Sequence, residues 1–218
     1  DHAGPDVPLI TKVPAETEAP RFVRRHLSFD DGVAIARRLE GIGYDAVAPV
    51  RVSTFWDMSL IRGDYPERAW EHSSFQSGYE DAFDSHLLQR LVPLLNRVQA
   101  RRFSFEPAWN ADFCEAVRDA VSIPVLAEGG IRQRGRMDRL LSRGRCDMVG
   151  MGRPFYAEPR IAARLLAADA TEDVRAVCDN CNNCTVPQVT GAPGMCRTPA
   201  VLRQRGELER ENAYDRSE

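Results

Sequence analysis

Short apolar runs alternate along the chain with longer stretches in which apolar residues recur every three or four positions. "PLITKV" (8–13), "DAVAPV" (45–50), "IPVLAEGG" (123–130) and "CDMVGMG" (146–152) have the length of buried strands. "SFDDGVAIARRLEGIG" (28–43) reads as a helix, with Ser28 as its cap, Asp30 and Asp31 in the first turn, and Ile35, Leu39 and Ile42 in one stripe. "NADFCEAVRDAVS" (110–122) reads as a second, capped by Asn110, with Phe113, Val117 and Val121 inward. "RGRMDRLLSRG" (134–144) reads as a third, with Met137, Leu140 and Leu141 inward and Gly144 as its stop. Pro159 opens a last helix, "RIAARLLA". Apolar strands separated by amphipathic helices mean parallel βαβ units. Four such strands make either a small open sheet or half of an eight-stranded (β/α) barrel.

The strands near 125 and 148 both end on glycines: "LAEGGIR" (126–132) and "GMGRPF" (150–155). In parallel α/β folds, ligands bind at the C-terminal ends of strands. Glycine there admits a positive φ and lets backbone N–H groups approach an anion closely. Two consecutive glycine stops match a phosphate site of the barrel type, and they favour the barrel half over the open sheet.

Residues 51–109 interrupt the repeat and hold ten of the seventeen aromatics, among them Phe55, Trp56, Tyr65, Trp70, Phe75 and Tyr79. A segment this long is expected to be a lid over the strand ends or a small packed subdomain. "SHLLQRLVPLLNRVQ" (85–99) reads as a helix pair or a helix broken near Pro93.

Composition narrows the class. The 218 residues are 43% hydrophobic and 28% charged, with a net charge of −3, which suits a globular protein without a basic field for nucleic acid or an anionic membrane. No apolar stretch has the length of a membrane span, and no signal core is present, so cytoplasmic localisation is expected. The chain opens on Asp1 and runs directly into a strand, as part of something longer would.

Of six cysteines, Cys178, Cys181, Cys184 and Cys196 form C-x2-C-x2-C-x11-C. Four thiolates at such spacing suit a [4Fe–4S] cluster or a structural zinc, and unligated thiols are the third alternative. Cys114 and Cys146, in a helix and at a strand start, are expected in the core. The charged tail after residue 202, "RQRGELERENAYDRSE" in its last sixteen residues (203–218), reads as disordered. The layout expected is thus a barrel part over 1–175, a cysteine segment over 176–202 and the tail.

The run from "IPVLAEGG" to "GMGRPFYAEPRIAARLL", with "GPDVPLITKV" before it and "CDNCNNC…C" after it, resembles the old yellow enzyme family of FMN-dependent oxidoreductases. The cysteine segment is similar to that of the family's iron–sulfur branch, the trimethylamine dehydrogenase and 2,4-dienoyl-CoA reductase type. That branch usually has three residues between its second and third cysteines where this chain has two.

The resemblance implies a TIM-type (β/α)8 barrel of which this chain carries the C-terminal four β/α repeats, strands five to eight. It implies that backbone N–H groups of Gly129, Gly130, Gly152 and Arg153 hold the FMN phosphate. Lys12 stands where the family usually has an arginine beside the flavin N1 and C2 carbonyl; the charge is kept and the planar fork is lost. The cysteines would hold [4Fe–4S], and NAD(P)H would be the electron donor. The strands that supply the family's substrate-binding pair and proton donor are not expected here, and His2, His26, His72 and His86 match none of those roles. Partners implied are a small-molecule substrate, the barrel's N-terminal half in the same or a separate chain, and a second copy. The function expected is half of an FMN oxidoreductase that passes hydride or electrons between nicotinamide, an enoyl-type or amine substrate and the cluster. The alternatives are a non-flavin phosphate-binding barrel, or a non-catalytic binding half with a zinc module.

Overall fold

A computed structural model describes residues 4 and 6–215, apart from 20, 22, 54–57, 72, 74–76, 78, 79, 81–84, 170, 186, 187, 189, 190 and 192. Phe55, Trp56, Phe75, Tyr79, His2 and His72 therefore lie outside the described residues; His26 and His86 are exposed. The chain forms two compact units. The first comprises Asp1–Leu60, Pro107–Ile131 and Arg136–Met151; the second comprises Ile61–Glu106, Arg132–Gly135 and Gly152–Glu218.

The first unit holds the four strands where the apolar runs place them: β1 (Ile10–Ala15), β2 (Ala46–Arg51), β3 (Leu126–Ala127) and β4 (Met148–Val149). All pairings are parallel: Ile10 opposite Ala46 through Ala15 opposite Arg51, and Leu126 opposite Met148. A parallel bridge from Val47 to Val125 joins the two pairs, so the spatial order is the chain order. Alternation along each strand sends Val13, Val47, Val125 and Ala127 to one face, into a core closed by helices. Ile10, Lys12 and Met148 take the opposite face, where Ile10 is 53% and Met148 38% exposed.

The helices of this unit follow their apolar stripes, with local differences. α1 (Phe29–Gly41) opens on a capping box: the Ser28 hydroxyl accepts from the Asp31 N–H at 3.1 Å, and the Asp31 carboxylate accepts from the Ser28 N–H at 2.9 Å. Gly32 lets the helix lie close to Phe113, since a Cβ there would be 2.6 Å from that ring. Ile42, expected in the stripe, is exposed because α1 has already ended at Gly41. α2 (Glu67–Trp70) and α3 (His86–Arg102) belong to the second unit. α3 is one continuous helix, not a pair or a broken one. Pro93 removes a single N–H from a helix of 17 residues, and the turns on either side persist.

α4 (Ala111–Arg118) buries Phe113, Cys114 and Val117 completely. Asn110 precedes it without capping it. α5 (Arg134–Ser142) buries Leu140 and packs Met137 on the core, but Leu141 is 42% exposed. Cys114 and Cys146 are core residues as expected, and burial pushes the Cys114 thiol up to about 12.

In the second unit, α6 (Arg153–Ala157) and α7 (Ile161–Ala167) lead to the cysteine segment, and α8 (Pro199–Arg210) follows it. The tail expected to be disordered is thus helical through Arg210. Val201 and Leu208 lie on one side of α8 and pack with Ala157, Val177 and Cys178. Beyond the helix, Tyr214 is buried under the Arg160 guanidinium, 5.1 Å from its ring centre. Charge-rich composition concealed two apolar anchors seven residues apart, which is enough for one packed face. Among the described residues, no helix is long and apolar enough to cross a membrane.

Candidate functional site: a glycine turn and a thiol pocket

Gly129 and Gly130 follow β3 directly and both hold positive φ, +104° and +66°. Such a turn after a strand is open mainly to glycine. Gly129 has a second reason: a Cβ there would stand 2.8 Å from the Asn110 amide nitrogen and 2.8 Å from the Trp109 ring. Asn110 is 1% exposed and ties this corner together. Its Oδ1 accepts from the Arg51 N–H at the end of β2 at 2.8 Å, and its Nδ2 donates to the Glu128 carbonyl after β3 at 2.8 Å. Asn110 is therefore a strand-end clamp, and the cap reading is corrected. Position alone suggested a cap; the tertiary partners claimed the amide.

Lys12 forms an ion pair with Glu128 on the face of the sheet away from the helices. It is the single lysine among the chain's 29 Lys and Arg residues. The lysine side chain is 60% exposed and the glutamate 32%, so the pair contributes at most about 1 kcal/mol. Sequence reading singled out Lys12 and overlooked Glu128, which lies inside the quoted glycine motif.

Gly150 follows β4, where a Cβ would come within 2.9 Å of Glu128 Cγ. Gly152 and Arg153 belong to the second unit and begin α6. Gly152 has φ −97°, and a Cβ there would meet nothing within 4 Å. Among the described residues, none requires glycine at 152.

The Arg153 side chain is engaged apart from the backbone role expected of this residue. Its guanidinium donates to the Arg62 carbonyl at 2.8 Å, the Ile61 carbonyl at 3.3 Å and Asn182 Oδ1 at 2.5 Å. Together with Cys178, Cys181, Cys184 and Cys196 it lines one small pocket, part of it open to solvent. Burial lowers the Arg153 pKa, and the nearby Cys178, Cys184 and Cys181 oppose that shift. Asn180 and Asn182, between the cysteines, hold φ near +57° and +58° and turn the loop back on itself. Asparagine is the non-glycine residue most at ease there, a signal already present in "CDNCNNC".

All four cysteines are free thiols. The Asn180 N–H lies 3.4 Å from Cys178 Sγ, and Cys181 Sγ lies 3.0 Å from the Thr198 hydroxyl. Burial raises the Cys178 and Cys196 thiols and pushes Cys184 up to about 12. Among the described residues, no three His, Cys, Asp or Glu side chains close on a single ion position. The insert contributes to this unit: the Asp64 N–H donates to the Asn180 carbonyl at 3.0 Å, and the Ala69 N–H to Asn183 Oδ1 at 3.2 Å.

The comparisons with known proteins take in the glycine motifs, and the family match ends before the cysteine segment. A NADH oxidase of Thermoanaerobacter brockii is 28% identical over 42% of this chain and 16% of its own length. The N,N-dimethylglycine/sarcosine dehydrogenase of Chromohalobacter salexigens is 31% identical over 43% of this chain and 13% of its own. The NADH-dependent flavin oxidoreductase iccE of Talaromyces variabilis is 34% identical over 29% of this chain and 16% of its own. The matched stretch is thus a small part of each relative. Residues 41–172, more than half of the chain, match the family described as NADH:flavin oxidoreductase / NADH oxidase, and the chain belongs to that family of FMN oxidoreductases.

Proposed function

We propose that this chain supplies the phosphate-binding half of an FMN-dependent oxidoreductase and carries a [4Fe–4S] segment. The observation that carries the reading is the left-handed Gly129–Gly130 turn at the C-terminal end of a parallel strand, inside the family match. Its N–H groups, with those of Gly152 and Arg153, are suited to the FMN phosphate. Glycine at 152, which packing among the described residues does not demand, is accounted for by a ligand that approaches the backbone there. Lys12 would face the flavin and stabilise negative charge on it, with Glu128 holding the ammonium in place.

The family's fold is a (β/α)8 barrel, and four parallel strands in consecutive order are what half of one contains. Ile10 and Met148 leave apolar surface exposed on the sheet face away from the helices, which supports a second half, in the same or another chain, packing against it.

The thiol pocket supports the reading of the four cysteines as ligands of one centre. Zinc needs all four sulfurs about 2.3 Å from one point. Cys178, Cys181, Cys184 and Cys196 all line the pocket and would hold a cluster through their thiolates. Bound FMN supplies hydride chemistry with nicotinamide and substrate, and the cluster supplies single-electron transfer. Free thiols suit the cytoplasm. The names of the relatives support nicotinamide as the donor, with an amine dehydrogenase as the other branch.

The test is an absorption spectrum of protein purified without oxygen, with its missing half co-expressed, beside iron, sulfide and zinc analysis. Flavin bands with a broad iron–sulfur shoulder are expected. A colourless preparation overturns the flavin reading; zinc without iron overturns the cluster.

A further inference from the structure

We propose that Arg153 and Asn180 set the reduction potential of a cluster in the thiol pocket, by holding a positive charge and a buried N–H donor against its reduced state. The inference rests on the cluster reading above and concerns residues to which that reading gives no redox role.

Arg153 lines the pocket beside the four cysteines, yet its hydrogen-bond acceptors are two backbone carbonyls and an amide oxygen. None of these neutralises a cation. A partly desolvated guanidinium with neutral partners needs negative charge close by. Asp179 also lines the pocket, but it is exposed and water screens it. Arg132 donates to the Cys178 carbonyl and adds a second cation to the same segment. Within the lining, the one anion facing Arg153 is thus a solvent-screened one, and thiols that give up their protons to a metal centre would supply the negative charge that Arg153 lacks.

Asn180 supplies the independent observation. It is 3% exposed and lines the pocket, and its Nδ2 has no hydrogen-bond partner among the described residues. A buried amide N–H left without an acceptor is destabilising. A thiolate or sulfide in the pocket would accept from it.

Reduction adds one electron to the cluster and makes it more negative by one charge; dithionite supplies that electron in the experiment. A nearby cation and N–H donors to sulfur stabilise the more negative form and raise the potential.

The experiment is a dithionite titration of the full-length protein followed by electron paramagnetic resonance, for wild type, R153K, R153Q and N180G. Glycine keeps the positive φ at 180 and removes only the side-chain amide. At a fixed potential, R153Q and N180G are expected to hold the reduced form at one-tenth or less of the wild-type ratio, a shift of about 59 mV or more for a one-electron couple. R153K is expected to stay nearer wild type, because charge rather than shape is the agent. Should R153Q fail to retain iron, N180G decides. R153Q and N180G both titrating with the wild type overturn this inference and leave the cluster intact. Wild-type protein without iron and sulfide overturns the cluster and this inference together.

Discussion

The Asn110 side chain donates to the Glu128 carbonyl at 2.8 Å, with Arg51 N–H on its other end, and so links the ends of β2 and β3. Both bonds are partly buried. Replacing Asn110 with alanine should cost about 2–3 kcal/mol, measured as a lower denaturation midpoint without a change of slope. Aspartate keeps the acceptor for Arg51 but turns a carboxylate toward a carbonyl, so N110D should be no better than N110A. Wild-type stability in N110A would mean that the clamp is ornamental.

The two glycine stops should respond oppositely to one added methyl group. G129A forces a Cβ into Asn110 and Trp109 at φ +104° and should destabilise by at least about 2 kcal/mol. G152A meets open space and should change stability by no more than about 0.5 kcal/mol. In the intact enzyme G152A should nevertheless weaken FMN retention at least tenfold. Retention equal to wild type would remove Gly152 from the phosphate site.

A lone exposed lysine is a chemical handle. Within these 218 residues, an amine-reactive ester should label the Lys12 side chain as the single lysine. FMN should slow labelling of Lys12 at least tenfold. Equal rates with and without FMN would take Lys12 out of the flavin site.

Two carboxylates titrate low. The Ser28 hydroxyl and backbone N–H hold Asp31 below the usual range, and the Ser122 hydroxyl and N–H do the same for Glu40. Their stabilisation is complete above the ordinary carboxylate pKa and is lost as the pH falls through the lowered folded values. Stability should therefore decline on acidification below about pH 4. S28A should move the Asp31 midpoint, read by carbon-detected NMR, back toward its ordinary value; an unmoved midpoint would refute the capping box as the cause.

Much of the first unit was legible. Four strands, the α1 cap and the buried Cys114 and Cys146 follow from period and position, which local chemistry dictates. What escaped is what depends on partners far along the chain. Asn110 occupies a cap position, but its partners lie 59 and 18 residues away. Arg153 was read for its backbone; its side chain reaches Ile61, Arg62 and Asn182. Leu141 fits the helical stripe of α5 and is still exposed, because the core ends at Leu140. The α8 tail looked unable to pack because its charges outnumber its anchors, although Val201 and Leu208 suffice.

Glu158 is fully buried, gripped by Arg164 at 2.6 and 2.8 Å, and accepts the Val177 N–H at 3.1 Å. The residue next to Cys178 is therefore pinned by bonds that owe nothing to a metal. The loop's ordering entropy is spent when the protein folds, so a cluster of the proposed kind would meet thiols that are already ordered. Stripping iron from such a protein should bleach it without denaturing it, and its helical circular dichroism should survive the chelator.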